Sequence, residues 1–427
     1  MKNLDDISPT MCLAKWTEGT LYIYSGMTQS CHLVGKNRAP IDLVLQDPSN
    51  LFNTPQKKKE RKLMLDGVRQ PGCASCNKVE KTKNAISDRM WKNNHHFMHK
   101  EDVLAVGYEG NLNPTELEIG FDNTCNLKCM YCKPSNSSSW VSETLQYGIY
   151  PGGQGLIEGH TSVEDQEIYT KAFWDWFPTV YHNLKVLRVT GGEPFLSKQT
   201  LKLLDYIILN PNPNLQFAIN SNFSISTKIL EPYLEKITEM LDKKVIKEFI
   251  IYTSMESAGD RAEYIRYGLD YELWKQNFIS ILERYKGVEI IIMATYNILS
   301  VTSFDSLLDF VEELKSKYGN DIVSIDPVQM KGPNFLAIEI IHDRPELLLY
   351  IEKSAKRVQE NNSYTKLEKL RMQRIYQVSK TLPNDDIVKK RNTFIEFIEE
   401  YDRRKKTDFL STFPEMESFY YDCFKTK

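Results

Sequence analysis

The chain has little of what marks disordered, secreted or membrane-spanning proteins. It holds 20 glycines and 18 prolines among 427 residues, while aromatic residues reach 11%, which excludes a disordered scaffold. The longest strongly apolar runs, such as residues 290–294, are far shorter than the roughly 20 residues that span a bilayer. The first residues have neither a basic stretch nor an apolar stretch, so no signal peptide is expected. A soluble, cytoplasmic protein is therefore predicted.

No excess of one charge sign is present either. The chain has 54 Lys and Arg against 57 Asp and Glu, a formal net charge of -3, which gives no reason to expect a nucleic-acid or membrane partner. Histidine is scarce, with seven residues, whereas cysteine occurs eight times. In a reducing compartment, clustered cysteines are more often metal ligands or catalytic thiols than disulfides. The positions of the cysteines are therefore the informative feature.

The middle of the chain alternates short β-branched runs with amphipathic stretches. Strands are predicted at residues 117–121, 185–190, 215–219, 247–254, 288–295 and 322–327, and helices at 198–209, 227–242, 271–285 and 304–317. Consecutive βαβ units of this kind build a parallel sheet or an open barrel whose site lies at the carboxyl ends of the strands. We predict an α/β fold, a partial (β/α)6 barrel of the TIM type, over residues 111–335.

The flanking regions lack this alternation. Residues 1–110 contain a predicted hairpin at 19–24, four cysteines and the basic stretch 57–62, which we interpret as the solvated face of a helix. We predict a separate small domain there. Residues 336–427 are predicted to form a helical extension whose aromatic tail, 409–424, folds back. The insertion at 148–155 is either a lid or an ordinary surface loop.

Three cysteines follow the first predicted barrel strand at a C-x3-C-x2-C spacing. They are Cys125, Cys129 and Cys132. Three thiolates on one loop can each bind a different iron of a cubane cluster and leave the fourth iron open. A zinc site usually has four protein ligands unless it is catalytic, and this triplet has no fourth ligand nearby in the sequence. The spacing and the position after a strand favour an iron-sulfur cluster that binds a ligand.

Here the sequence resembles the radical S-adenosylmethionine (SAM) enzymes. In that family the open iron chelates the amino and carboxylate groups of SAM, and the residue before the third cysteine, Tyr131 here, contacts the adenine. After the second strand, a segment similar to the family's GGEP motif implies contacts with the SAM amino group, especially from Glu193. That segment consists of Thr190, Gly191, Gly192, Glu193 and Pro194.

Later segments extend the resemblance. Asn220 lies in a segment similar to one near the ribose, and Ser254 and Glu256 parallel a pattern that contacts the ribose hydroxyls. Arg266 lies in a segment whose arginine pairs with the SAM carboxylate, a task that suits a forked guanidinium. Singly, these residues also fit strand-end capping or ordinary ion pairing. The resemblance implies reductive cleavage of SAM to a 5'-deoxyadenosyl radical that abstracts hydrogen from the substrate, and no side chain is singled out as a catalytic acid or base.

Four further cysteines lie in the small N-terminal region. They are Cys12, Cys31, Cys73 and Cys76. Four thiolates suffice for a complete zinc or 4Fe-4S site, and the spacing alone accepts either metal. The region resembles the twitch domain, a shortened relative of the SPASM domain, which implies an auxiliary 4Fe-4S cluster. Many relatives have two adjacent cysteines where this chain has Cys31 and His32.

The remaining cysteine, Cys423, has no cysteine neighbour in the sequence and is expected to be a small buried hydrophobic residue.

The leading hypothesis is a two-cluster radical SAM enzyme that acts on a peptide or protein. The resemblance also implies an electron donor such as flavodoxin or ferredoxin. One alternative is a radical SAM enzyme for a nucleotide, sugar or other small metabolite, with structural zinc at the N-terminal site. Another is a metalloprotein without catalytic activity that uses both metal sites structurally.

Overall fold

The computed structural model describes residues 4–81, 86–157, 161–286, 288–380 and 386–425. The chain divides into two compact units. The first is formed by residues 1–122, 159–218 and 240–248, and the second by residues 123–158, 219–239 and 249–427. Within the described ranges, no helix combines the length and the apolar character that a membrane span requires.

The elements are numbered in chain order over the described residues. The strands are β1 (Glu18–Tyr22), β2 (Met27–Gln29), β3 (Asn37–Arg38), β4 (Glu116–Gly120), β5 (Lys128–Cys129), β6 (Val186–Thr190), β7 (Asn212–Ser221), β8 (Ile246–Ser254), β9 (Arg266–Tyr267), β10 (Glu289–Tyr296) and β11 (Val323–Gln329). The helices up to the middle of the chain are α1 (Ala14–Thr17), α2 (Ile41–Gln46), α3 (Pro55–Leu65), α4 (Ala74–Val79), α5 (Asp88–His95), α6 (Lys100–Val106), α7 (Ser138–Tyr147), α8 (Val163–Val180) and α9 (Lys198–Leu209). The later helices are α10 (Thr227–Asp242), α11 (Gly259–Ile265), α12 (Tyr271–Arg284), α13 (Phe304–Tyr318), α14 (Pro345–Glu360), α15 (Lys366–Ser379), α16 (Ile387–Lys405), α17 (Phe409–Thr412) and α18 (Glu417–Lys425).

The first unit is built on a mixed sheet with the strand order β7-β6-β4-β1-β2-β3. Strands β1, β4 and β6 are parallel, with Glu18 opposite Glu116 and Glu116 opposite Val186. Strands β1 and β2 form the predicted antiparallel hairpin. Alternate residues of β4 and β6, such as Leu117 and Leu187, are fully buried, which is the period of two expected of a strand with one apolar face.

The second unit contains the parallel strands β8, β10 and β11. Its C-terminal helices pack through aromatic rings, as predicted for the tail. Phe394 contacts Phe409 and Phe419, with ring centroids 5.8 and 5.7 Å apart, and Tyr264 contacts Phe413 at 5.4 Å. The structure is therefore a mixed α/β fold with mostly parallel strands, and the predicted strands and helices of the middle region agree with it to within three residues at each end.

The interpretation of residues 57–62 as a solvated helix face was wrong for two of the side chains. Lys57 and Arg61 are 3% and 0% exposed, respectively. Lys57 Nζ donates to the Glu18 carbonyl at 2.9 Å, and Arg61 donates to the Lys15 carbonyl and to Asn53 Oδ1 at 3.2 and 3.0 Å. Because these residues are four apart on α3, they share the face that packs inward, and their charged ends bind backbone and amide oxygens.

Candidate functional site

The loop that carries Cys125, Cys129 and Cys132 is fixed by the start of α7. The Ser138 hydroxyl accepts from the Cys125 N–H at 3.2 Å, and the Ser139 hydroxyl donates to the Cys125 carbonyl at 2.6 Å. Further along, Trp140 Nε1 donates to the Cys129 carbonyl at 3.0 Å, and the indole is fully buried. Specific side chains at the start of α7 therefore hold the backbone that presents the thiols.

A two-residue sheet joins this loop to the segment after α11. Strand β5 pairs with β9 in antiparallel register, so that Cys129 lies opposite Arg266. Arg266 Nη1 lies 3.7 Å from Cys129 Sγ. The pairing brings the second cysteine and the predicted SAM-binding arginine together, although the two residues are far apart in the sequence.

Burial disfavours the charged form of these thiols. It raises the pKa of Cys129, with Arg266 opposing the rise, and burial together with the neighbouring cysteines raises the pKa of Cys132 to about 12. A bound cation offsets this cost because metal binding deprotonates cysteine ligands. The thiols are thus suited to hold a metal centre rather than to act as free nucleophiles.

The cysteine sulfurs are not at the spacing of an occupied zinc site. A tetrahedral site with zinc–sulfur bonds of about 2.3 Å places its sulfurs about 3.8 Å apart. Among the residues that the structure describes, no three cysteine sulfurs lie mutually within 4.8 Å. Three thiols of either group would therefore have to approach one another to bind a single zinc ion.

Glu256 binds both Tyr131 and Arg266. The Tyr131 hydroxyl donates to Glu256 Oε2 at 3.0 Å, and Arg266 donates to the same oxygen from Nε at 3.0 Å and from Nη2 at 2.6 Å. Burial raises the pKa of Glu256, against the effect of Arg266. Its other oxygen, Oε1, is buried and has no hydrogen-bond partner among the described residues. That oxygen is a ready acceptor for a ligand hydroxyl.

The ends of the following strands present further polar groups. Asn220 Oδ1 is a second buried acceptor that lacks a hydrogen-bond partner within the described part of the chain. Asn222 Nδ2 donates to Asn126 Oδ1 at 2.9 Å, and Ser254 is the last residue of β8. The sequence reasoning missed Asn126, because a single amide between two cysteines forms no recognisable pattern. The roles of Asn220, Ser254 and Arg266 toward SAM stay predictions.

The Gly191–Glu193 segment has a local geometry that requires glycine. Gly191 has a φ of +121°, and a Cβ at this position would lie 2.7 Å from the Asp122 carbonyl oxygen. Gly192 N–H donates to the same carbonyl at 3.2 Å. Glu193 is buried and accepts from the Phe195 N–H at 3.1 Å, so it caps the short turn that begins at Pro194. The contact of Glu193 with SAM stays a prediction.

The insertion at 148–155 is packed rather than free. Gln154 is buried and donates to the Met130 carbonyl at 2.8 Å and also to the Cys132 carbonyl. The Tyr150 hydroxyl donates to Glu143 on α7. The segment therefore supports the cysteine loop, a contribution that its glycine-rich sequence did not indicate.

The four N-terminal cysteines line one cavity within the first unit. They are Cys12, Cys31, Cys73 and Cys76. His32 lies instead against the neighbouring polar pocket, which identifies Cys31 as the member of the Cys31–His32 pair that faces the other thiols. Burial raises the pKa of Cys12 to about 12, and Lys15 and Lys92 oppose the rise. These cations lie where they would offset the charge of bound thiolates.

A polar network fixes the wall of this cavity and joins the residue after α4, Glu80, to α5 and to the Met11 carbonyl. Glu80 Oε1 accepts from the Ser87 hydroxyl at 2.6 Å and from Arg89 Nε at 2.8 Å. Arg89 Nη1 and Asn93 Nδ2 both donate to the Met11 carbonyl, at 3.1 and 2.8 Å. Met11, the residue before Cys12, is thus fixed by two side chains of α5. Cys423, as predicted, is fully buried among C-terminal residues.

Comparisons with known proteins gave distant relatives. No family model matches the chain. A 130-residue segment is 24% identical to GTP 3',8-cyclase of Sulfurimonas denitrificans (strain ATCC 33889 / DSM 1251) and 25% identical to that of Aliarcobacter butzleri (strain RM4018). In each case the match covers 30% of this chain and 34% of the relative, so the chain spans about a third of the length of these curated relatives.

Among solved structures, Streptococcus suis SuiB is similar over 83% of this chain and 70% of that one, with 15% identity and a TM-score of 0.37. SuiB bound to S-adenosylmethionine matches with 16% identity and a TM-score of 0.38. The chain is thus similar, over a 130-residue segment, to part of the GTP 3',8-cyclase sequences.

Proposed function

We propose that the protein is a radical SAM enzyme that abstracts hydrogen from a peptide or protein substrate. Cys125, Cys129 and Cys132 would hold a 4Fe-4S cluster whose open iron binds SAM. When bound and reduced, this cluster supplies one electron that cleaves SAM to methionine and a 5'-deoxyadenosyl radical. The chain's own residues would bind SAM and the substrate, orient them toward each other and exclude water from the site.

The observation that carries this proposal is the arrangement around Glu256. One buried carboxylate binds the predicted adenine-contacting residue, Tyr131, and the predicted carboxylate-binding residue, Arg266, which lies beside Cys129. The unpartnered oxygens of Glu256 and Asn220 would accept hydrogen bonds from ribose hydroxyls. A buried acceptor without a partner has a free-energy cost that such a ligand would remove.

We further propose an auxiliary 4Fe-4S cluster on the four N-terminal cysteines. Its support is the common cavity that the four cysteines line. Here residues 1–110 would form a twitch-like domain, 111–335 a partial barrel and 336–427 a helical extension. A cytoplasmic location and a flavodoxin or ferredoxin as electron donor complete the proposal.

The alternative substrate is a nucleotide or another small metabolite. The observation that favours it is the name of the curated relatives, GTP 3',8-cyclase, although the match covers 130 residues. In this alternative the N-terminal cysteines bind structural zinc. The peptide proposal rests on analogy with enzymes that combine such domains, since fold does not determine the substrate.

The test of the central proposal is anaerobic reconstitution with iron and sulfide, followed by addition of dithionite and SAM. We expect 5'-deoxyadenosine from the wild-type protein and none from a variant with Cys125, Cys129 and Cys132 changed to alanine. The matched control is Cys423→Ala, which removes a buried cysteine outside both metal groups and should retain the product. A wild-type protein that binds iron but forms no 5'-deoxyadenosine refutes the enzyme and favours a metalloprotein without catalytic activity.

The same triple variant tests the auxiliary cluster. About four irons per chain should remain in it, bound by the N-terminal cysteines. Zinc without iron would refute the auxiliary cluster and leave the SAM-binding cluster unaffected. To separate the substrate classes, 5'-deoxyadenosine formation should be compared with peptides encoded beside the gene and with GTP. Stimulation by GTP alone would overturn the peptide proposal.

A further inference from the structure

A second kind of metal-ligating group lies in the first unit, formed by histidine and glutamate rather than cysteine. Helix α5 ends at His95, and His96 follows it as the C-cap residue. Glu116 is the first residue of β4, and it lies directly opposite Glu18, the first residue of the parallel strand β1. Opposite residues of paired strands project to the same face. The two carboxylates are thus presented together at the end of α5.

The ligand atoms of His95, His96 and Glu116 lie mutually within 4.8 Å, and the group is unique in this respect among the described residues. His95 Nε2 is 2.6 Å and His96 Nε2 is 3.9 Å from the same oxygen, Glu116 Oε1. His96 Nε2 is also 2.6 Å from Glu18 Oε1. Two imidazole nitrogens and one carboxylate oxygen therefore lie close together, and a second carboxylate, that of Glu18, contacts the buried imidazole of His96.

We propose that this group binds one zinc ion, with His95, His96 and Glu116 as ligands and Glu18 as the fourth donor. Zinc bonds of about 2.0–2.2 Å to nitrogen and oxygen place neighbouring ligand atoms about 3.4 Å apart in a tetrahedron. The two distances to Glu116 Oε1, 2.6 and 3.9 Å, lie on either side of that value. The ligand atoms are therefore close to the spacing of a tetrahedral zinc site before any ion is bound.

One side of the proposed zinc site is buried and the other is exposed to solvent. The His96 side chain is 2% exposed, and Glu18 is fixed by Lys92 through its second oxygen. The His95 side chain is 46% exposed and stacks on Trp91, with ring centroids 5.3 Å apart. His95 is therefore the solvent-exposed member of the group, whereas His96 is the buried one. Four protein donors without an open position fit a structural ion that links α5 to the sheet.

This proposal is independent of the radical SAM chemistry, because it uses no cysteine. Its test begins with calorimetric titration of Zn²⁺ into the protein after anaerobic reconstitution of its iron-sulfur sites, so that the thiols are occupied. We expect one zinc per chain and at least about tenfold weaker binding in His95→Ala, since loss of a ligand or its support costs 10–100-fold in affinity. Glu116→Gln should weaken binding similarly.

The matched control is His182→Ala, which removes an exposed histidine of the same unit that is outside the group. Zinc affinity should be unchanged in it. X-ray absorption at the zinc edge should show only nitrogen and oxygen neighbours near 2.0–2.2 Å. A zinc–sulfur distance near 2.3 Å, unaltered affinity in His95→Ala or the absence of zinc binding overturns the proposal. Circular dichroism of each variant checks that the fold is retained.

Discussion

Arg266 donates two hydrogen bonds to a single oxygen of Glu256, from Nη2 at 2.6 Å and from Nε at 3.0 Å, and both residues are buried. The pair lies beside the cysteine loop, since Arg266 Nη1 is 3.7 Å from Cys129 Sγ. Removing one partner of a buried ion pair leaves the other charge without compensation. The pair therefore links the stability of this region to the arrangement of the proposed site.

We expect Arg266→Met to lower the free energy of unfolding by about 3–5 kcal/mol, because it leaves the Glu256 carboxylate buried alone. Arg403→Met is the matched control. Arg403 pairs with Glu400 at 2.6 Å, but its side chain is 64% exposed, so its loss should cost less than about 1 kcal/mol. Urea denaturation followed by near-ultraviolet circular dichroism measures both. Equal effects of the two substitutions would contradict the role of burial.

Gly191→Ala is expected to destabilise the protein by at least about 1–3 kcal/mol. The reason is the positive φ of +121° together with the contact of a new Cβ, 2.7 Å from the Asp122 carbonyl oxygen. Gly35→Ala is the control, since its φ is not in the left-handed region and a Cβ there has open space. Thermal unfolding should show a lower melting temperature for Gly191→Ala alone. A similar shift in both variants would argue against the close approach.

Substitutions of two neighbouring residues of helix α3, Arg61 and Lys62, should have very different effects on the free energy of unfolding. Arg61→Met removes a buried guanidinium that binds backbone carbonyls and Asn53, and it should cost about 3 kcal/mol of stability. Lys62→Met removes a surface pair with Asp66, in which the two side chains are 50% and 47% exposed, and a distant contact with the Tyr108 ring. It should change stability by less than about 0.5 kcal/mol. Urea denaturation of the two variants measures the difference. A larger loss of stability in Lys62→Met than in Arg61→Met would show that Arg61 does not lie on the buried face of α3.

The buried carboxylate of Glu143 should make stability dependent on pH. Burial raises its pKa, but hydrogen bonds from Lys405, Tyr150 and Lys128 outweigh burial and lower the pKa below 4.5. A lowered pKa contributes stability above the unfolded value, and this contribution is lost as pH falls through the folded value. The free energy of unfolding should therefore decrease below about pH 4.5, and it should decrease less steeply in Glu143→Gln.

The measurement for Glu143 is urea unfolding of the iron-free protein at neutral and acidic pH, followed by tryptophan fluorescence. Glu346→Gln, at an exposed position in the first turn of α14, is the control and should keep the pH dependence of the wild-type protein. The same acid slope in Glu143→Gln as in the wild type would show that another group is responsible.

Much of the fold follows from local patterns. The period of two in β4 and β6 and the apolar faces of α9 and α10 are visible in the sequence, because each strand or helix buries one face. Helix α3 shows the limit of such patterns. Its run of cations indicates a helix, but which of the cations turn inward depends on the carbonyls of Lys15 and Gly110, which lie elsewhere in the chain.

The sequence by itself determined the cysteine groups, the glycine turn at Gly191 and the positions of the middle strands along the chain, because each depends on residues close together in the chain. Only the tertiary structure decided that Glu256 binds Arg266 and Tyr131, that Cys31 rather than His32 faces the other thiols, and that Glu18 lies opposite Glu116. These relationships depend on strand register and burial, which bring distant residues together and are set by the packing of the whole unit.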